Sequence, residues 1–475
     1  MSALGDSASS GGSDVTKSVK HHPAHQTARA DLDGGGVLLV EESHALPLVS
    51  IVVSLRSGSA FDPVGKEGLA RIVGRMLRRG CEGMKAHAIE DAIDRLGGEI
   101  SIDLSASSLS VHGQVIGRNL DPFIDLFARL LGTPEFPLDE LERLKRETAA
   151  EILESRDNDR ALAQKFFRQN MFAGHPYGRS SHGTLASVEA IGEADVRAFY
   201  ARHFTRANTV LGFAGDVTLD RARAVSARLL AKLPTGAEVA DPVSPPPHLK
   251  GRHLVLVDKP DRTQTQIIIG GMGTSPHDDD HVALGVANAI FGGSFTSRLM
   301  KAVRSERGWS YGAYARMAID RQRQAFSMWT FPQATDAAPC IGLELELLEA
   351  WVTGGVTQAE LDFIKQYLIR SQAFEVDTAP KRLHQALDIE VIGLPKDYHS
   401  GYSAKVAEVT TESANAAVKR RISAADLLVV VVGTADQIRP QVEKAVGPVV
   451  DLKVVPFDAD SMPGPRTENG ESRDR

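Results

Sequence analysis

The chain reads as an α+β protein made of two similar, sandwich-like mixed halves on either side of a proline-rich linker. Its 475 residues exceed what one ordinary core organises, so at least two domains are expected. The run Pro234-Thr235-Gly236 to Asp241-Pro242-Val243-Ser244-Pro245-Pro246-Pro247 can sustain neither helix nor central strand, and reads as a semi-rigid connector. On either side of it the same order of patterns occurs twice. Strand and helix patterns alternate without a regular βαβ rhythm, which favours α+β halves over a doubly wound parallel sheet.

The elements follow in order. Residues 1–27, with Ser9-Ser10-Gly11-Gly12-Ser13 and three histidines at 21, 22 and 25, read as a polar disordered arm without the apolar stretch of a secretory signal. The first half, 28–234, has the β-branched run Leu48–Leu55, a Gly-Ser turn, Asp62-Pro63, and a helix with Leu69, Ile72, Val73, Met76 and Leu77 on one face. It closes with Val210–Asp216 before another helix. After the linker, 235–250, the second half, 251–456, repeats the plan: Gln266–Gly270, a Gly-Thr-Ser-Pro turn, a helix carrying Leu284, Val286, Ala287 and Ile290, and a closing Val429–Asp436. Residues 457–475 read as a polar tail.

Composition narrows the function classes. A hydrophobic fraction of 42% and a charged fraction of 24% are those of a globular protein. The net charge of −7, from 54 basic and 61 acidic residues, comes without a basic stripe interleaved with aromatics, which argues against nucleic-acid binding. No apolar run approaches the roughly 20 residues of a membrane span, so membrane association is not expected and a cytoplasmic location is favoured. Cys81 and Cys340 are too few for a disulfide framework and read as buried thiols.

Two segments carry chemistry. Gly68-Leu69-Ala70-Arg71-Ile72-Val73-Gly74-Arg75 resembles the zinc helix of the pitrilysin/insulinase peptidases, which place H-x-x-E-H after Gly-Leu-Ala. In that motif two histidines on one helix face bind zinc and the glutamate serves as general base. Here Arg71 and Arg75 stand at the histidine positions and Gly74 at the glutamate position. A guanidinium cannot coordinate a cation and glycine has no proton acceptor, so no metal is expected on this chain. Asn288–Leu299 followed by Arg304–Tyr311 resembles the family's second signature, an Arg/Tyr pair seven apart, and both Arg304 and Tyr311 are intact. Glu147–Ile152, Gly174-His175-Pro176-Tyr177-Gly178 and His203–Asn208 extend the resemblance over most of the first half.

The resemblance implies the rest. Its third zinc ligand falls at Glu151, and the face bearing Arg71 and Arg75 points at the helix carrying Glu151, so an arginine–glutamate pair is expected in place of the metal. The short family type, similar to mitochondrial processing peptidase, forms a clamshell from two chains, so this chain would be half of one. The implied function is a non-catalytic subunit of a heterodimeric zinc endopeptidase. Its homologous partner would hold the zinc, while Arg304 and Tyr311 hold peptide or unfolded-protein substrate and stabilise the oxyanion. A scaffold or peptide-binding protein of the same fold is the alternative, which the intact pair argues against. His277-Asp278-Asp279-Asp280-His281 offers metal-like spacing for a self-sufficient peptidase, but its place at a helix start gives the carboxylates a simpler role at the positive end of the dipole.

Overall fold

A computed structural model describes residues 27–460 apart from Glu238; the expected arm up to residue 26 and the tail from 461 lie outside the described residues. Fourteen strands are present: β1 (Ala28–Asp31), β2 (Val37–Glu42), β3 (Leu48–Leu55), β4 (Gly80–Cys81), β5 (Met84–Lys85), β6 (Glu99–Leu104), β7 (Leu109–Ile116), β8 (Thr209–Gly215), β9 (His253–Asp258), β10 (Gln266–Met272), β11 (Ala313–Met317), β12 (Ala325–Thr330), β13 (Leu428–Gly433) and β14 (Asp451–Pro456). They form two six-stranded sheets ordered β1-β2-β8-β3-β7-β6 and β11-β12-β10-β13-β9-β14, and β4 pairs with β5 in a small hairpin. Read from opposite ends, the two sheets match strand for strand. In each, the first long strand runs parallel to the closing strand, β2 with β8 and β9 with β13. Only the outermost strand differs, since β1 comes from before β2 and lies antiparallel to it, whereas β14 comes from the chain's far end and lies parallel to β9.

Each sheet is covered on one face by helices of its own half. Under the first lie Leu69–Met76, Leu120–Gly132 and Leu219–Leu230, packed on Leu38, Val40, Ile51, Val53, Leu211 and Phe213. Under the second lie His281–Asn288, Ala337–Gly354 and Ala435–Val446.

The opposite faces are covered by exchange. Helix Asp159–Met171 of the first half lies on the second sheet, where Leu162, Phe166 and Phe167 meet Val255, Ile268, Val430 and Val432. Helix Ala379–Ile392 of the second half lies on the first sheet, where Leu383 and Leu387 meet Val37, Leu39, Val52 and Val210. This explains why Val37–Val40 of β2 and the whole of β13 are apolar without alternation: both of their faces are buried. β7, towards the sheet edge, alternates instead. A glycine makes room for each exchanged helix. A Cβ on Gly212 would lie 3.0 Å from the Leu383 side chain, and one on Gly270 would lie 2.8 Å from Phe167 Cζ.

The proline-rich connector is docked. Val243 is buried beside Phe172 and Tyr177, and its carbonyl accepts from Gln322 Nε2 at 3.1 Å. His175 donates through Nε2 to the Ser244 carbonyl at 2.8 Å and accepts through Nδ1 from the Tyr177 amide at 3.1 Å. The His-Pro-Tyr-Gly segment therefore holds the connector against the junction. Cys81 and Cys340 are both buried and unpaired.

Because Leu383 fills the space above Gly212, Leu383→Ala should lower the unfolding free energy by about 2–5 kcal/mol, the range for a buried leucine. Urea denaturation checks this, and a loss below about 1 kcal/mol would show that the exchanged helix is held by something other than its apolar face.

Candidate functional site

Helix Leu69–Met76 is placed by its buried face, Leu69, Ile72, Val73 and Met76, and by a cap from a distance. Asp62 accepts from the amides of Gly68 and Ala70, both at 2.8 Å, so one carboxylate satisfies two of the helix's free donors. Burial pushes that carboxyl up to about 7, against the pull of the Ala70 and Gly68 amides. Gly68 has φ +98°, and a Cβ there would lie 2.9 Å from the His182 carbonyl oxygen, so the Gly-Leu-Ala start requires glycine on both counts.

The half-buried face of this helix meets helix Leu138–Ser155 through charge. Arg71 donates to Glu151 Oε2 at 3.1 Å and Arg75 to Glu151 Oε1 at 2.9 Å. Arg75 also reaches Glu147 at 3.3 Å, and Arg79 reaches Glu147 at 2.8 Å and Glu140 at 3.3 Å. Partial burial alone would raise the Glu151 carboxyl, but the hydrogen bond from Arg71 and the charges of Arg75 and Arg71 outweigh it and hold the group below its ordinary range. The two guanidinium groups thus clamp the carboxylate on both oxygens. Sequence reading named only part of this network. Glu147 lies one turn before Glu151 on its helix, and Arg79 lies in the turn that follows Met76, beyond the ridge that Arg71 and Arg75 form.

Zinc does not fit these residues. The single carboxylate at the centre is engaged on both oxygens, its neighbours are cations, and among the described residues no group of three histidine, cysteine, aspartate or glutamate side chains is placed to hold a metal. The space beside Gly74 is closed as well. A Cβ on Gly74 would lie 3.0 Å from Ile102 Cγ2 and 3.3 Å from Leu109 Cδ1, so side chains of β6 and β7 fill the space beside it.

Arg304 and Tyr311 come together in the second half. The Arg304 guanidinium carbon lies 4.4 Å from the centre of the Tyr311 ring and 5.0 Å from that of Phe295, a stacked cation–π arrangement. Tyr311 is 76% exposed and Phe295 69%, so the pair stands out from the surface. Among the described residues no hydrogen bond or ion pair joins it to the Arg71/Glu151 centre. Phe295 was not singled out from the sequence; its place in the Asn288–Leu299 signature is the signal that pointed there. Gly292, in the same signature, serves close approach: a Cβ would meet Ala315 of β11 at 2.5 Å.

The His277–His281 segment stands at a helix start, as its sequence suggests, and is tied to distant arginines as well. Asp278 pairs with Arg323 at 2.8 Å and Arg421 at 3.3 Å, and Asp280 with Arg421 at 2.9 Å and Arg420 at 3.1 Å. Asp280 stands at the start of helix His281–Asn288 without a side-chain cap bond. The carboxylates stand at the helix start and also answer to arginines brought from distant segments. His281 lies 3.0 Å from the Tyr398 hydroxyl, and burial lowers its basicity.

Comparison with known proteins bears on this arrangement. Residues 37–185 match the family described as insulinase (peptidase family M16), and residues 190–368 match the peptidase M16 inactive domain. The chain belongs to the M16 peptidase family. Within it, the Arg71–Arg75 helix falls in the insulinase segment and Arg304 and Tyr311 in the inactive-domain segment. The chain is similar to the crystal structure of a peptidase M16 inactive domain from Pseudomonas fluorescens, with a TM-score of 0.80 and 26% identity over 86% of this chain and 98% of that one. It is 23% identical over 397 residues to a protein of Helicobacter pylori named non-peptidase homolog YmxG, covering 83% of this chain and 91% of that protein. It is 27% identical over 340 residues to an uncharacterized zinc protease of Mycobacterium leprae, covering 71% and 76%.

The Glu151 clamp sets a pH dependence. A carboxylate whose folded value lies below its ordinary 4.5 contributes stability that is present above that value and lost as pH falls through the folded one. Glu151→Gln should therefore cost roughly 1–3 kcal/mol near pH 7, between an exposed pair and a buried one, and should flatten the loss of stability between about pH 5 and pH 3. Thermal melts across that window check it; a variant that falls in parallel with the parent would place the acid-sensitive contribution elsewhere.

Proposed function

We propose that the chain is a pseudo-peptidase subunit that serves a zinc-bearing M16 partner. The observation that carries the reading is the exposed Arg304/Tyr311 pair, kept in a chain whose own zinc positions are occupied by an arginine–glutamate clamp. The Tyr311 hydroxyl makes no hydrogen bond among the described residues, and Arg304 is engaged only by aromatic faces, so both donors are free for an external acceptor. On this reading the partner supplies zinc and general base. Arg304 and Tyr311 bind the substrate backbone and donate to the oxygen that gains charge at the transition state, which is work suited to a guanidinium and a phenol held in fixed register. The matches to the inactive-domain description and to a relative named a non-peptidase homolog support a role without peptidase chemistry of this chain's own. No helix among the described residues is long and apolar enough to cross a membrane.

The test is turnover in trans. When the chain is assembled with a homologous H-x-x-E-H subunit, Arg304→Ala or Tyr311→Phe should lower the partner's kcat by about 10²–10³-fold while complex formation is unchanged, because the lost donor acts mainly on the transition state. Unchanged turnover in a fully assembled complex would favour a scaffold or peptide-binding role for the same fold.

A further inference from the structure

The two halves carry counterpart helices of 18 residues, Leu138–Ser155 and Gln358–Glu375. The third residue of each is a glutamate held by an arginine from a neighbouring segment. Arg79 reaches Glu140 at 3.3 Å, and Arg298 holds both oxygens of Glu360, at 2.7 and 2.6 Å. In the first half one face of the helix is charged: Arg143, Glu147 and Glu154 stand at its sixth, tenth and seventeenth positions, and Arg75 and Arg79 cover Glu147. The same three positions in the second half are Phe363, Tyr367 and Phe374.

These aromatics stand in water. Phe363 is 59% exposed, Tyr367 54% and Phe374 69%, and among the described residues no ring or cation stacks on any of them. Their spacing, i, i+4 and i+11, puts them on one helix face with Arg370 at i+7 between them. Arg370 is exposed and, among the described residues, in no ion pair. The helix is anchored from another side by the buried Leu361 and Ile364, so its packing does not need the rings.

The stripe offers roughly 350 Å² of aromatic surface, from three rings of about 200 Å² each that are a little over half exposed. That is the size of a functional patch on a single folded molecule, and well below the roughly 800 Å² per partner of a stable protein–protein interface. The area therefore suits a short segment of chain better than a second folded body. Phe363 and Tyr367 lie about 6 Å apart along the helix axis, close to the roughly 6.8 Å between alternate side chains of an extended peptide. The whole stripe spans about 16 Å, or about five extended residues. Arg370 presents N–H donors between the rings for the carbonyls that such a peptide leaves unpaired.

We propose that Phe363, Tyr367 and Phe374, with Arg370 among them, form a docking face for an extended, unfolded peptide segment with aromatic or large aliphatic side chains at alternate positions. This face selects by side chain, whereas the Arg304/Tyr311 pair addresses the backbone. It rests on the pseudo-peptidase reading only in making that peptide a substrate. Binding is measured on this chain alone, so loss of turnover in trans and loss of peptide binding are separate results.

Fluorescence anisotropy of the full chain would use labelled twelve-residue Gly/Ser peptides in three forms: phenylalanines at i and i+2, phenylalanines adjacent, and serine at both places. The i, i+2 form should bind about tenfold more tightly than the serine form. The adjacent pair, which an extended chain turns to opposite sides, should gain no more than about threefold. Phe363→Ser and Tyr367→Ser should each remove most of the gain at an unchanged melting temperature, whereas Tyr367→Trp should keep it. Equal binding of the three peptides, an equal gain for both phenylalanine forms, or an unaltered gain in the two serine variants would overturn the proposal. A melting temperature several degrees lower in both serine variants would overturn it by making the rings structural. A concentration-dependent dimer in sedimentation that Tyr367→Ser returns to monomer would overturn it by giving the stripe to a second copy. Co-sedimentation with phosphatidylcholine/phosphatidylglycerol vesicles that is lost in the same variant would overturn it by giving the stripe to a lipid surface.

Discussion

Each sheet is completed by a helix from the other half, and this exchange is the constraint on which the rest of the structure depends. Without Ala379–Ile392, the residues Val37, Leu39, Val52 and Val210 of the first sheet would face water; without Asp159–Met171, the same would hold for Val255, Ile268, Val430 and Val432. Each exposed face would be a contiguous apolar patch of the kind soluble chains rarely tolerate. The halves are therefore one folding unit despite the connector between them. The same exchange brings Arg160 against Trp329, so elements of both halves meet where neither half alone would form a surface.

The clamp is the reverse of a metal site in its charges. A metal site collects negative or neutral donors around a cation, whereas here two cations gather around a single carboxylate. The two helices are held face to face by this contact. Arg79, Glu140 and Glu147 extend the contact along both helices, so the join rests on a ladder of pairs.

Much of the fold was legible in the sequence because burial on two faces leaves uninterrupted apolar runs such as Leu428–Val432, and burial on one face leaves alternation, as in Leu109–Ile116. The duplicated order of those runs foretold the matching sheets. Which helix covers which sheet was not legible: Leu162, Phe166 and Phe167 give an ordinary amphipathic pattern whose partner lies some hundred residues and more away in sequence. At the site, the pairing of Arg71 and Arg75 with Glu151 followed from a family resemblance, since spacing within one helix says nothing of the helix opposite. The aspartates at 278 and 280 were read through their own helix, whereas their arginines arrive from residues 323 and 420–421.

The crowding around Gly74 bears on how such a chain can change. A return to metal chemistry would need both arginines replaced together, because exchanging one leaves a histidine beside the remaining guanidinium and a carboxylate still claimed by it. A glutamate at 74 would further require Ile102 or Leu109 to give way by a few tenths of an ångström or more. No single replacement confers metal binding, and the early ones loosen the join between the helices. Any route from this centre to a metal site therefore passes through chains that lack one of the two arginine contacts to Glu151, so the contact that joins the helices also stands in the way of a cation.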